Sequence, residues 1–291
     1  MGAEDLGQGL EPQLGDLAGY GQVLVLPRVG STNDYAIELL KGGAEKTAGL
    51  GELSLVLTDC QEAGRGRLDR SWQAPAGQAL AMTFLLRPHA GQGISPAPDR
   101  YHWFTVLLAL AACRALEESS GLAPSIKWPN DVLLGQKKVC GILAQLLLEA
   151  DGQISVAVGI GINVNLGQQD LPVPTATSLL LESGTPQNLT VLARQLASQF
   201  EGLYRQFAAS GFDAAAPLAA GATSLCDQVK EVMGTLGAYL TVHLPQDQLV
   251  RGWGKDLLPS GELLVETEEG QERAFSVGDV VHLRPEGYGV G

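Results

Sequence analysis

The chain has 291 residues, of which 45% are hydrophobic, and a formal charge of −13. That length allows one large domain and a small one, and that apolar content excludes a disordered chain. The acidic balance argues against a general binder of nucleic acid or membrane surfaces, while saying nothing of the charge inside one concave pocket.

Residues 1–20 read as an acidic, Gly-rich leader with neither the basic nor the apolar segment of a secretory signal. Residues 22–26 (QVLVL) read as a strand. Ser31-Thr32-Asn33 precedes a helical pattern over 35–41 that stops at Gly42-Gly43, with Ser31 and Asp34 at capping-box spacing. Strand-like runs follow at 53–58 and 79–86, then a helical pattern over 101–119 that ends at Gly121. Its most apolar stretch, 104–112, is far short of the roughly 20 residues that cross a bilayer. Three strands are predicted next, at 132–134, 139–148 and 154–158. The turns between them, Gly135-Gln136-Lys137 and Asp151-Gly152, suit a β-meander. Residues 190–208 read as a second long helix. Beyond residue 222 the runs shorten (239–244, 262–266, 273–277 and 279–283) and alternate between glycine turns, the pattern of a small β-barrel. An α+β body over 21–221 and a β-rich tail over 222–291 result.

Neither the cysteines (Cys60, Cys113, Cys140, Cys226) nor the histidines (His89, His102, His243, His282) fall at zinc-ligand spacing. Reduced thiols in a soluble, cytoplasmic protein are the simplest expectation.

Residues 58–72, TDCQEAGRGRLDRSW, put three arginines within six positions and flank the first with glycines. Gly64 and Gly66 permit close backbone approach, so successive N–H groups can converge on one anion. Arg65, Arg67 and Arg70 add fork-shaped donors suited to phosphate or carboxylate. A solvated loop whose arginines pair with Asp59, Glu62 and Asp69 explains the same residues, and no Walker A pattern occurs in the chain. So polar a segment is expected to be mobile when empty and to order over an anion.

Lys127-Trp128-Pro129-Asn130-Asp131 places a cation, an aromatic and a carboxylate around a proline-stiffened corner. Lys138 opens a very apolar strand, either as a turn residue or as a partner for an anion. Gly141 inside that strand suggests a bulge or a ligand against the backbone. Gly159-Ile160-Gly161-Ile162-Asn163 ends the third strand, with Asn163 closing a turn or offering its amide to a base edge.

In this order and spacing, STN (31–33), QEAGRGRLDRSW (61–72), KWPND (127–131), KKVCGIL (137–143) and GIGINVN (159–165) resemble the biotin protein ligase family. The resemblance runs from about residue 22 to the C-terminus. It implies a mixed-sheet catalytic domain followed by a small SH3-like β-barrel, and two reactions. Biotin and Mg-ATP would give biotinyl-5′-AMP, and a lysine of a biotin carboxyl carrier domain would then take the biotin as an amide. It implies that Lys138, Arg67, Lys127 and Asp131 are catalytic. Biotin would lie against Ser31, Thr32, Asn33, Gln61, Gly64, Arg65, Gly66, Arg67, Lys138, Gly141 and Ile142. ATP would meet Arg65, Arg67, Arg70, Trp72, Lys127, Asn130 and Asn163. The metal ligands for Mg2+ are not readable, and members include monomers and homodimers. Gln145 stands where many relatives have glutamate, so no acidic role is expected there. The twenty residues before the body predict no helix-turn-helix, hence no DNA binding or repressor function. A lipoate-type ligase and a non-catalytic binding module are the alternatives.

Overall fold

The computed structural model describes residues 10, 14, 17–42, 49–67, 70–90, 95–149, 152–218, 222–244, 248–276 and 279–282. Most of the predicted leader, together with Gly43, Leu68, Asp69, Asp151, Val277 and Leu283, lies outside them.

The elements in chain order begin with β1 (Val23–Val25), α1 (Thr32–Lys41), β2 (Leu53–Thr58), β3 (Gly64–Arg65), β4 (Ser71–Trp72) and β5 (Ala79–Leu86). Helix α2 (Trp103–Ser120) leads into β6 (Pro124–Lys127), β7 (Asp131–Leu134), β8 (Lys137–Leu148) and β9 (Ile154–Asn163). After α3 (Leu179–Ser183), α4 (Leu189–Ala209) and α5 (Leu225–Glu231) come β10 (Tyr239–His243), β11 (Leu249–Leu257), β12 (Leu263–Thr267), β13 (Glu272–Phe275) and β14 (Asp279–His282). A seven-stranded mixed sheet has the order β1-β2-β5-β9-β8-β7-β6; β1 and β2 run parallel and the other neighbours antiparallel.

Strands β2 and β5 are buried along their whole length, which is why LSLVLT and ALAMTFLL read as near-continuous apolar runs. One face packs on α2 and α4 through Phe84, Trp103, Phe104, Phe200 and Phe207, with the Phe84 and Phe200 rings 4.4 Å apart. Each such fully buried ring contributes about 2 kcal/mol or more. The other face carries α1 through Ala36 and Leu40 against Val56, Leu85 and Ala157.

Helix α1 starts three residues earlier than the apolar pattern predicts, because Ser31 accepts the Asp34 N–H and serves as its N-cap. The Asp34 carboxylate does not close a capping box. It reaches Arg65 Nε at 3.2 Å. Gly121 ends α2 in the left-handed region at φ 70°, as its position after the apolar run predicts. The third strand continues to Asn163 rather than stopping before the glycines, since Gly159 and Gly161 pair in register with Leu143 and Gly141.

The β-rich tail is a five-stranded antiparallel sheet, β13-β12-β11-β10-β14. Strand β11, the longest of this sheet, lies at its centre and is absent from the sequence reading. Gly252 and Gly254 interrupt its alternation: a Cβ there would lie 2.1 Å from the Glu266 carbonyl oxygen and 2.2 Å from that of Thr235. The sheet docks on the body through its β11–β12 turn. Trp103 Nε1 donates to the Pro259 carbonyl at 3.1 Å and Trp128 Nε1 to that of Gly261 at 3.2 Å. The Trp128–Pro129 peptide bond is cis, and the Trp128 N–H donates to Thr235 Oγ1 at 2.9 Å. Among the described residues, no helix is long and apolar enough to cross a membrane.

At the end of the sheet away from α1's N-terminus, Arg87 makes two 3.1 Å hydrogen bonds to Glu149, with side chains only 15% and 11% exposed. Ser155 also donates to Glu149, and His89 Nε2 lies 3.6 Å away. Burial opposes the Glu149 charge, yet the Arg87 and Ser155 hydrogen bonds hold its carboxyl below the ordinary value of 4.5. A depressed carboxyl adds stability above its unfolded pKa, and that stability is lost as pH falls through the folded value. Breaking such a pair from one side costs about 3 kcal/mol. Glu149→Gln is therefore expected to lower the urea-unfolding free energy at pH 7 by that order and to flatten the loss of stability below pH 4.5. Equal acid sensitivity in variant and parent would overturn the assignment.

Candidate functional site

One cavity of about 910 Å³ opens where the N-terminus of α1, the hairpin β3–β4, the β6–β7 corner and the middle of β8 and β9 meet. It gathers Ser31, Thr32, Asn33, Gln61, Arg65, Gly66, Arg67, Arg70, Trp72, Lys127, Asn130, Asp131, Lys138, Gly141, Ile142 and Asn163, residues spread over 133 positions of sequence. Gly64 is the one predicted site residue outside the lining. It stands where a Cβ would lie 2.3 Å from both Gln61 Nε2 and the Trp72 carbonyl oxygen, so its freedom from a side chain serves the hairpin itself.

The end of the cavity toward α1 is a closed hydrogen-bond network. Gln61 Oε1 accepts from the Thr32 N–H at 2.9 Å and from the Thr32 hydroxyl at 3.1 Å. Thr83 Oγ1 lies 2.8 Å from Thr32 Oγ1 and 2.7 Å from Asn33 Oδ1. Asn33 Nδ2 donates to the Leu143 carbonyl and to Gln145 Oε1. Asn33 thus ties α1 to the sheet, with Gln145 as one of its two acceptors. Gly159 is without a side chain because a Cβ there would lie 1.9 Å from Asn33 Oδ1.

Five cations also line the cavity: Arg65, which pairs with Asp34 of α1, and Arg67, Arg70, Lys127 and Lys138; Asp131 is the single carboxylate among the described lining residues. Lys138 Nζ lies 2.7 Å from Asp131 Oδ1 and 5.8 Å from the centre of the Trp72 ring. A β-bulge explains why Lys138 and Gly141, three residues apart, line the same cavity. Val132 pairs with Cys140 and Leu133 with Lys138, so the extra residue Val139 reverses the alternation. The predicted irregularity at Gly141 thus falls two residues earlier.

The arginine loop is a β-hairpin: Gly64 pairs with Trp72 and Arg65 with Ser71, and the Gly66 N–H donates to the Arg70 carbonyl at 2.7 Å. Arg67 NH1 donates to Asn130 Oδ1 at 2.8 Å, joining hairpin and corner across the cavity mouth. Asn130 in turn donates to the Ile142 carbonyl. Asn163 lines the cavity but is buried, and its amide donates to the Thr177 carbonyl at 2.9 Å.

Sequence reasoning missed the segment 172–176, which forms one wall through Pro172, Val173, Thr175 and Ala176. It is held to β8 by main-chain bonds, Lys138 N–H to the Thr175 carbonyl and Thr177 N–H to the Lys138 carbonyl, so no periodicity marks it. Cys140, on the same strand, is fully buried in the core, and burial pushes its thiol well up, which disfavours it as a nucleophile.

A mixed sheet with an antiparallel core thus carries a cavity that combines neutral hydrogen-bonding groups with five cations and is bordered by a Gly/Arg hairpin, an arrangement chemically able to hold an anion. Residues 25–165 match the biotin/lipoate A/B protein ligase family, and the chain carries a domain of that family. Its relatives include the bifunctional ligase/repressor BirA of Bacillus subtilis, 36% identical over 196 residues, 66% of this chain and 57% of the relative. The alignment thus spans little more than half of that relative's length. The biotin–[acetyl-CoA-carboxylase] ligase of Mycobacterium tuberculosis is 28% identical over 93% of this chain and 92% of its own. Among solved structures, a biotin protein ligase from Aquifex aeolicus in complex with biotin and ATP superposes with a TM-score of 0.69 at 26% identity. It covers 90% of this chain and 99% of its own.

Proposed function

We propose that the chain is an ATP-dependent biotin protein ligase that forms biotinyl-5′-AMP and passes biotin to a lysine of a biotin carboxyl carrier domain. The observation that carries this reading is the polarity of one cavity: a neutral hydrogen-bonding end and a cationic end around Lys127 and Lys138, joined by a floor of glycine and Ile142. The neutral end suits a ureido ring, with Ser31, Thr32 and Gln61 as partners, and the cationic end suits a carboxylate brought up to a triphosphate.

In the first step a biotin carboxylate oxygen attacks the α-phosphorus of ATP, and the bond to pyrophosphate breaks. Both reactants are anions, so catalysis is positioning and charge stabilisation. Lys138 would lie between carboxylate and α-phosphate; Arg65, Arg67, Arg70 and Lys127 would offset the remaining phosphate charge, and Trp72 with Asn130 and Asn163 would border the nucleoside. In the second step the carrier amine attacks the acyl carbon, AMP leaves with the bonding electrons, and the amine loses a proton. Asp131 would orient that amine.

Magnesium is implied by the family. The cavity offers it one carboxylate, already paired with Lys138, and no group of three His, Cys, Asp or Glu side chains occurs among the described residues. These residues do not make a resident metal site, so magnesium enters this reading only as part of the substrate Mg-ATP.

A lipoate-type activity is the second reading, since the family includes both. The ring of lipoate has no amide donors or carbonyl acceptor to offer the polar Gln61–Thr32 end, so this end favours a ureido ring over it. Biotin-dependent ATP–pyrophosphate exchange, run beside a lipoate control and followed by transfer to a carrier-domain lysine, tests the proposal. Exchange with biotin and not lipoate is expected; exchange with lipoate alone would sink it.

A further inference from the structure

We propose that Gly161, with Gly141 beside it, is a positioning residue that seats the Trp72 indole and thereby holds the arginine hairpin over the cavity. The proposal rests on the reading of that cavity as the biotin and ATP site. Gly141 and Gly161 are direct partners across β8 and β9, so two positions without side chains lie next to each other on the cavity floor. Neither has a positive φ, so strand geometry at both would accept any residue. Glycine in a strand interior is a liability without a compensating reason.

The reason here is the indole. A Cβ on Gly161 would lie 2.5 Å from Trp72 Cε2, 2.6 Å from Nε1 and 3.0 Å from Cδ2. On Gly141 it would lie 3.2 Å from Trp72 Cζ3 and 3.0 Å from the Lys138 Nζ. The ring therefore rests flat on bare backbone, with Lys138 Nζ 5.8 Å from its centre. A methyl at 161 would have to lift it by about 1 Å to reach ordinary carbon contact near 3.5 Å. The backbone of Trp72 is the second strand of the hairpin, paired to Gly64, so lifting the ring moves the strand that leads back to Arg70, Arg67 and Arg65. Gly161 acts through Trp72, not on substrate.

The test uses the full chain and two readouts. In the protein without ligand, Gly161→Ala is expected to speed tryptic cleavage after Arg67 and Arg70 about tenfold, and Gly141→Ala to do so by a smaller factor. Trp72→Ala should be cleaved as fast as Gly161→Ala, and the double variant no faster than Trp72→Ala alone. In exchange assays the KM for ATP should rise about tenfold in Gly161→Ala while kcat changes less than threefold, with no further rise when Trp72 is already alanine. Cleavage of Gly161→Ala at the parent rate would overturn the proposal. So would an equal effect of the methyl with and without Trp72, which would mean that it meets the substrate directly. Should Gly161→Ala fail to fold, Gly141→Ala in both backgrounds decides by the same criterion. The cleavage readout needs no activity: if the parent shows no biotin-dependent exchange but the cleavage pattern holds, the functional reading falls and the seat for Trp72 stands.

Discussion

Lys138→Gln is expected to reduce biotin-dependent ATP–pyrophosphate exchange at least a thousandfold, a loss of about 4 kcal/mol of transition-state stabilisation. The expectation follows from where its ammonium stands. Nζ sits at the cationic end of the cavity, 2.7 Å from Asp131 and over the edge of the Trp72 ring. Glutamine keeps most of the stem and the possibility of hydrogen bonding but removes the charge. Asp131 would then face two incoming anions with its nearest counter-ion gone, so the loss exceeds that of one neutral hydrogen bond. Lys138→Arg keeps the charge but extends a planar fork into a space where Lys138 atoms already lie 3.0 Å from a Cβ position on Gly141. It should recover at most a few per cent of the activity. Thermal unfolding of Lys138→Gln should change little, because the side chain is about one-third exposed. Exchange within tenfold of the parent would remove Lys138 from the chemistry.

How far the site was legible in sequence depends on what holds each residue in place. The hairpin, the Pro129 corner and the GIGIN strand each carry a local signal, glycine between arginines or proline after an aromatic. Their convergence does not: it comes from the register that sets Gly141 against Gly161 and Asp131 against Gly141. The bulge at Val139, which brings Lys138 onto the cavity side, left only a vague trace in the form of a strand glycine. Segment 172–176 left none, since it is held by main-chain bonds to Lys138. Trp128 illustrates the converse. It stands inside a motif that points to chemistry, yet its indole is buried and hydrogen-bonded to the Gly261 carbonyl, so it joins body to tail. In the tail, β11 escaped notice because its glycines answer to backbone approach across the sheet, a long-range demand that local alternation does not encode. The long helices and the buried strands β2 and β5 were legible because their patterns are set by their own periodicity or continuous burial.

Arg67→Ala is expected to uncouple the two halves of the reaction. The guanidinium ties the hairpin to the β6–β7 corner, donating to Asn130 Oδ1 at 2.8 Å across the mouth of the cavity. Asn130 is itself fixed by Ile142, whose carbonyl accepts from its amide and whose N–H donates to its carbonyl. Removing Arg67 therefore opens the mouth without disturbing the Gln61–Thr32 end, and it also removes a fork that would meet the phosphate of an adenylate. A charge-assisted hydrogen bond contributes about 1.5–3 kcal/mol. The loss of one or two of them should raise the rate at which preformed biotinyl-5′-AMP leaves the protein by about a hundredfold. Pyrophosphate exchange should fall far less than in Lys138→Gln, because Lys138 still joins carboxylate and α-phosphate. The measurement is a rapid spin-column assay: protein loaded with labelled biotin and ATP, with label followed in the bound and free fractions over time. The parent should retain the adenylate and Arg67→Ala should shed it. Trypsin added to the loaded parent should leave the hairpin intact, whereas adenylate retained equally by both proteins would show that the mouth is closed by other contacts.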